Sequence, residues 1–336
     1  MTRSPLILAG DIGGTKTNLA LYRLREAGLE LETKRQYASR EHADFTSIVD
    51  HFLDASAIAK IDAACFGIAG PVIGGICKTT NLPWQIDTRQ LQARLETPKV
   101  RLLNDLEATA YGMLYLDDVD FVDLNPAAEP GTGNRAVIAA GTGLGEAMLF
   151  FDGQGYQPVG SEGGHCDFAP ATPLQQELLS WLWERHPEHA STERVLSGPG
   201  VHTLYQFLKT KLIAPEPEFM RRLGPDEDPS AKISEGALLH NDPLCRETLA
   251  LFAAIYGAEA GNLALKTMAT GGVYIGGGIA PKILPFLQQY FMESFRAKGR
   301  FAPLLAAIPV RVSLNPETAL DGAAHFAADN LLGLAE

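Results

Sequence analysis

Asp11-Ile12-Gly13-Gly14-Thr15-Lys16-Thr17 (DIGGTKT) follows an apolar run from Leu6 to Ala9 and precedes Leu19, Leu21 and Leu24. The run reads as a buried strand, and the leucine spacing fits a second strand leaving a tight turn better than a helix. An acid, two glycines and a threonine at a strand-to-strand turn suit a phosphate. Glycines let backbone N–H groups approach phosphate oxygens, and Thr15 adds a hydroxyl donor. Asp11 would repel phosphate directly, so its natural ligand there is Mg2+, reached through water. The helix-opening patterns GxxxxGK[ST] and GxGxxG are absent. Taken alone, the stretch also fits an ordinary glycine-rich hairpin.

Two further glycine turns favour the phosphate reading. Ala136-Val137-Ile138-Ala139 leads into Ala140-Gly141-Thr142-Gly143-Leu144-Gly145, and Val273-Tyr274-Ile275 into Gly276-Gly277-Gly278-Ile279-Ala280-Pro281. The second of these turns a strand into a helix with proline in its first turn. Three such turns along alternating strands and helices are the layout of a nucleotide held between two halves.

The chain has 336 residues, enough for two domains and a large core. Apolar residues at 46% and charged residues at 20% are ordinary for a globular protein. A net charge of −12 argues against nucleic acid or an anionic membrane as the main partner. It leaves ATP open, because backbone amides and Mg2+ supply positive potential locally. Cys65, Cys77, Cys166 and Cys245 form no CxxC pair, hence no disulfide scaffold or zinc cluster is expected. The apolar stretch before Asp11 is shorter than the ~7–15 residues of a signal peptide. No run approaches the ~18 apolar residues of a membrane span. The expected compartment is the cytoplasm.

Phe45, Ile48, Val49 and Phe52 recur at helical spacing, Val100 to Leu103 is a short strand, and Glu107 to Leu114 has helical character. Asn125 to Asn134 reads as a polar loop and Asp117 to Asp123 as a solvated acidic surface. Residues 173–186 form an amphipathic helix, Pro215 to Pro229 a surface connection, and Pro243 to Leu265 a long helix whose apolar stripe Glu259 interrupts. Glu317 to Leu332 reads as a closing helix.

Asn104-Asp105 ends a buried strand, where ligands bind in open α/β sheets. A carboxylate there can accept a substrate hydroxyl proton, with Asn104 bonding a neighbouring hydroxyl; equally, Asp105 serves as an N-cap. Glu162-Gly163-Gly164-His165 places an acid and an imidazole beside two glycines, a set that suits a polyhydroxylated ligand or, more plainly, a structural turn. Glu193 reads as one more acceptor or as a first-turn helix charge. Thr80-Asn81-Leu82-Pro83-Trp84 reads first as a packing turn, and the remaining histidines form no metal-ligand set.

DIGGTKT, GIAGPV (Gly67 to Val72), TTNLPW (Thr79 to Trp84), LNDLEA (Leu103 to Ala108) and GTGLG (Gly141 to Gly145) occur here in one order. SEGGHCDFAP (Ser161 to Pro170), ERVLSGPG (Glu193 to Gly200) and YIGGGIAP (Tyr274 to Pro281) continue it. By these motifs, over nearly its whole length, the chain resembles the bacterial ATP-dependent glucokinases of the enterobacterial and cyanobacterial type. That family sits in the hexokinase, actin and heat-shock ATPase superfamily. The zinc-binding Cys cluster of related sugar kinases and any N-terminal DNA-binding segment are missing.

The resemblance implies an α/β fold of two ribonuclease-H-like (actin-like ATPase) domains hinged over a central cleft. The small domain would hold residues 1–114 plus about 315–336, and the large one 115–314. Carried over by position, Gly10, Asp11, Ile12, Gly13, Gly14 and Thr15 resemble the first phosphate loop, with Asp11 toward Mg2+. Gly141, Thr142 and Gly143 resemble the second, and Gly276, Gly277 and Gly278 the adenosine turn. Asp105 matches the catalytic base; Asn104, Glu162, His165 and Glu193 match sugar-hydroxyl ligands. One departure stands out: Glu146 follows GTGLG, where a small or apolar residue is more usual. It could weaken nucleotide affinity or point outward.

The implied reaction is the first step of glycolysis, transfer of the ATP γ-phosphoryl group to the 6-hydroxyl of D-glucose, in a cytoplasmic homodimer. The rival enzymes are kinases of fructose, mannose or N-acetylglucosamine. The rivals of another class are a non-catalytic sugar sensor and a chaperone-like or filament-forming ATPase of this fold.

Overall fold

The computed structural model describes residues 4–56, 60–79, 81–129 and 131–333. Thr80 of the loop motif and Pro130 of the polar loop lie outside the described residues. The chain divides into two compact units: 1–120, 147–160 and 315–336 in the first, and 121–146 and 161–314 in the second.

The strands, in chain order, are β1 Leu6–Ile12, β2 Lys16–Arg25, β3 Gly28–Ala38, β4 Ala63–Ile68, β5 Val72–Ile73, β6 Ile76–Lys78, β7 Gln85–Asp87 and β8 Val100–Asn104. They continue with β9 Phe121–Asp123, β10 Arg135–Ala140, β11 Leu144–Phe151, β12 Tyr156–Ser161, β13 Gly272–Gly276 and β14 Val310–Ser313. A five-stranded sheet runs β3-β2-β1-β4-β8, a six-stranded one β12-β11-β10-β13-β14-β9, and a three-stranded one β5-β6-β7. In both large sheets three consecutive strands are laid down in reverse order and two later strands then join on the far side; the second sheet adds the earlier strand β9 at that edge. The two therefore share one winding pattern, which no repeated residues announce.

The parallel part of the first sheet sets the stage for chemistry. β1 pairs with β4 through Ile12↔Ile68, and β4 pairs with β8 through Ile68↔Asn104. The C-terminal ends of three parallel strands thus lie level, the place where open α/β sheets bind ligands. In the second sheet β10 and β13 are parallel neighbours through Ala139↔Gly276, so the second and third glycine turns leave adjacent strands at the same end.

Each unit has its own core. In the first, Leu8, Leu19 and Phe66 from the sheet meet Phe45, Ile48, Val49 and Phe52 of the helix Phe45–Ser56, all buried. In the second, Ile138, Val273 and Ile275 meet Phe252 and Tyr256 of the helix Pro243–Thr267 and Phe291 of the helix Leu284–Arg296. Pro243–Thr267 has the length and hydropathy of a membrane span, and 78% of its apolar window is buried in the protein, as befits a core helix.

Several elements differ from the sequence expectation. β3 extends the first hairpin to three strands; its GLELETKRQYA sequence buries no side chain fully, so no apolar alternation marks it. Part of the acidic surface, Phe121–Asp123, is the edge strand β9, paired antiparallel to β14. The connection 215–229 contains a short helix, Glu218–Arg221. The closing segment is an α-helix, Thr318–Phe326, that widens into a π-helical turn, Ala327–Leu331.

Candidate functional site

The first glycine turn is held from below by one serine. Gly13 N–H donates to the Lys16 carbonyl (2.9 Å), and Ser39 N–H to the Thr15 carbonyl (3.0 Å). The Ser39 hydroxyl donates to the Gly13 carbonyl (2.8 Å) and bonds Thr17 Oγ1 (2.9 Å). With those carbonyls satisfied, Thr15 is exposed and its hydroxyl is available to a ligand. A Cβ at Gly14 would lie 2.7 Å from Asn81 Cβ, so the TTNLPW loop packs against the turn, and a small recess there is lined by Ile12, Gly13, Gly14, Ala69, Asn81 and Leu82. Gly10 has a different reason to be glycine. It lies within β1, and a Cβ would sit 2.7 Å from Phe66 and 2.8 Å from Leu19 side-chain atoms, a packing demand of the core.

Asp11 is half-buried on β1, opposite Asn18 of β2. Burial raises its pKa above the ordinary aspartate value, against the lowering effects of the Asn18 amide (3.4 Å) and the Lys34 charge. A desolvated carboxylate with one long hydrogen bond retains lone pairs for a cation. Among the described residues no group of three or more His, Cys, Asp or Glu side chains could hold a metal. Mg2+ bound with nucleotide commonly takes one or two carboxylates, waters and phosphate oxygens. A single carboxylate beside a phosphate turn fits that mode.

Asn104 and Asp105 open the helix Asp105–Gly112 at the end of β8. The N-cap is Asn104, not Asp105: Asn104 Oδ1 accepts from Leu106 N–H (2.9 Å), and Glu107 Oε2 accepts from Asn104 N–H (2.7 Å), a capping box. The Asn104 amide donates to the Gly70 carbonyl (3.1 Å). Asp105, the first helical residue, accepts from Leu106 N–H (2.9 Å) through Oδ1. Its charge reaches Cys77, whose thiol burial already pushes upward. Two strand spacings, on the order of 10 Å, separate this point from the end of β1.

Glu107 and Ser39 are positioning residues that the sequence reading passed over. Glu107 also accepts from Gly160 N–H through Oε1 (3.2 Å). Its signal was present in the NxxE spacing of a capping box; Ser39 had none.

In the second unit, Gly141 N–H donates to the Gly143 carbonyl (2.8 Å), and Gly198 N–H to the Gly141 carbonyl (2.7 Å). The Tyr256 hydroxyl accepts from Ala140 N–H (3.0 Å) and donates to the Ile138 carbonyl (3.2 Å), fixing the strand that delivers the turn. Thr142 is exposed at its tip. Next door, Gly277 adopts φ +82, and a Cβ on it would collide with the Ala140 backbone, so only glycine lets these two turns approach.

Glu193 turns out to brace the second glycine turn. Its Oε2 accepts from Leu144 N–H (2.9 Å), and a Cβ on Gly143 would collide with it. Glu193 also stands in the first turn of a 3-10 helix, Thr192–Arg194. Its second carboxylate oxygen can still meet a ligand, because Glu193 and His165 line one cavity of about 530 Å3, with Arg194, Ser191 and His189 on its wall. Glu162 and His165 bracket a 3-10 turn, Gly163–His165, and both are exposed. Glu162 does not line that cavity.

Glu146 does not point outward. It is 2% exposed, and its carboxyl lies against Gly163. Glu259, the break in the long helix's apolar stripe, meets Asn262 (2.8 Å) and Lys266 (3.4 Å) instead of leaving the core.

A family model described as Glucokinase matches residues 8–330. The glucokinase of Nostoc punctiforme is 43% identical over 337 residues, covering 96% of this chain and 99% of that protein. A glucokinase crystal structure from an Antarctic psychrotroph superposes with a TM-score of 0.84 at 32% identity, covering 97% of this chain and 99% of that one. The glucokinase of Balamuthia mandrillaris in complex with glucose superposes with a TM-score of 0.77 at 25% identity, covering 97% and 94%.

Proposed function

The chain belongs to the glucokinase family, and on that premise we propose that it transfers the γ-phosphoryl group of ATP to the 6-hydroxyl of D-glucose, giving glucose 6-phosphate and ADP. The observation that carries the reading is the placement of Asp105 level with the first glycine turn, at the C-terminal ends of parallel strands β1, β4 and β8. Asp105 orients the sugar hydroxyl and accepts its proton, general-base work that contributes typically ~10²–10⁴-fold. Positioning and charge stabilisation supply most of the rest. Thr15 and the amide of Gly14 hold one set of phosphate oxygens; Thr142 and the amide of Gly143 hold another. Gly276 to Gly278 lie beside the nucleoside. Asp11 would hold Mg2+ through water, and the ion would neutralise charge on the phosphates.

Glu162, His165 and Glu193 receive the remaining sugar hydroxyls. A hexose without the matching hydroxyl leaves those groups unpaired and is rejected for that reason. Asn104 caps the helix of the base and holds the Gly70 carbonyl, and its amide keeps a second N–H for a sugar hydroxyl.

The decisive experiment is glucose-dependent ADP formation with Mg-ATP, measured on the parent and on Asp105→Ala. Activity in the parent that falls by about 10²-fold or more in the variant is the expected result. Equal activity in both would mean the proton acceptor is elsewhere. Glucose binding without turnover in either would favour a sensor.

The finer architecture belongs to the same proposal: a small and a large domain, hinged over a cleft, in a cytoplasmic homodimer. Its support is the family resemblance, together with the assignment of Asp11 and Asp105 to one unit and of Glu162, His165 and Glu193 to the other. Closure on sugar would keep water from acting as phosphoryl acceptor. Saturating glucose should shrink the small-angle-scattering radius; an unchanged radius would argue against the hinge.

A further inference from the structure

The carboxyl of Glu146 lies directly beneath the loop that carries Glu162 and His165. A Cβ added to Gly163 would collide with Glu146 Oε2 and would lie 2.8 Å from its Cδ, so the loop is shaped around this carboxyl. A second tie runs through Ser161, whose hydroxyl donates to the Glu146 carbonyl (2.9 Å) and accepts from Gly163 N–H (3.2 Å). Glu146 Oε1 is buried with no hydrogen-bond partner among the described residues.

The helix Pro243–Thr267 faces the same carboxyl with Glu259, Lys266 and Tyr256. Glu259 is 6% exposed and already engages Asn262 and Lys266, while Lys298, just beyond the next helix, donates to the Ala258 carbonyl and to Asn262 Oδ1. On the loop itself the titratable groups are Glu162 and His165, both exposed. The nearby cation therefore serves Glu259, and Glu146 has a like charge for its neighbour. Burial, then the Glu259 charge, push its pKa up to about 7, with Lys266 acting the other way. A neutral carboxylic acid tolerates that setting, whereas a carboxylate needs water or new donors. The yielding neighbour is the Gly163 turn, since the helix on the other side is core.

We propose that Glu146 is a positioning residue for the sugar loop: as a neutral acid it fills the space beside Gly163 and keeps Glu162 and His165 in place, and its ionisation loosens the loop and weakens glucose binding. The inference rests on the reading of residues 162–165 as sugar ligands.

The test is a pH profile of KM for glucose and of kcat, taken from about pH 6 to about pH 9 so as to bracket a group titrating near neutrality, on the parent, Glu146→Gln and Glu259→Gln. In the parent, KM should rise severalfold with pH while kcat changes less. Glu146→Gln, neutral and nearly isosteric, should flatten the KM rise. Glu259→Gln removes the like charge, so the rise should move to lower pH. Infrared spectroscopy of the sugar-free protein should show a protonated carboxyl band that titrates over the same range and is missing from Glu146→Gln. A parent that phosphorylates glucose with a flat KM, or a rise that survives in Glu146→Gln, overturns the proposal. Should Glu146→Gln fail to fold, an unmoved midpoint in Glu259→Gln overturns it. A parent inactive on glucose at every pH removes the underlying functional reading, and this inference with it.

Discussion

Glu193 joins two tasks that a sequence would assign to separate residues. One carboxylate oxygen holds Leu144 N–H and so fixes the second glycine turn, while the same side chain lines the cavity shared with His165. Glu193→Ala leaves a buried N–H without a partner, a loss of about 1–3 kcal/mol, and frees the turn on the nucleotide side. Steady-state kinetics should therefore show KM rising for both ATP and glucose. Glu162→Ala, by contrast, should raise KM for glucose alone, because the Glu162 side chain caps no backbone group. If both variants altered only the glucose term, the bracing role of Glu193 would be refuted. The residue types of the site were legible in the sequence, since acids, amides and glycines at strand ends carry their chemistry openly. Their loyalties were not. That the Asn104 amide N–H reaches Gly70, or that Glu146 turns inward onto Gly163, depends on neighbours distant along the chain.

The helix that carries Asp105 is positioned at the scale of elements. Asp105–Gly112 crosses Thr318–Phe326 at paired glycines: a Cβ on Gly112 would collide with the Thr318 carbonyl, and one on Gly322 with the Ala108 carbonyl. Tyr111 hydroxyl donates to Asp329 Oδ2 (2.8 Å) and accepts from the Asn330 amide (3.1 Å), tying the far end of the helix to the π-helical turn. Gly322→Ala would wedge the helices apart, at a loss typical of overpacking, about 1–3 kcal/mol. Thermal unfolding should shift downward, and kcat should fall as the proposed base, Asp105, is displaced, with KM for ATP little altered. An unchanged unfolding midpoint would show that the crossing tolerates a methyl group. Phe45–Ser56 could be read directly from its apolar periodicity, and Pro243–Thr267 from a long apolar stretch that is buried nearly all round. β3 could not, because an edge strand with both faces half-wet lacks the alternation that betrays one.

At the scale of the molecule, the two large sheets share a winding order, and residues 121–146 and 161–314 interrupt a first unit that resumes at 147–160 and again at residue 315. The three glycine turns made the α/β class legible, whereas the shared winding carries no repeated sequence and was expected only from the family resemblance, as two ribonuclease-H-like domains. The pairing of Tyr111 with Asp329 across 218 residues also has a meaning in time. A ribosome adds roughly 5–20 residues each second, so the helix bearing Asp105 emerges some ten to forty seconds before the segment that packs against it. Through most of that interval the second unit is itself incomplete, since its sheet waits for β14 at Val310–Ser313, and the first unit lacks a helix and cannot close. The aspartate proposed to accept the proton is therefore held in place only near the end of synthesis, although it is made within the first third of the chain.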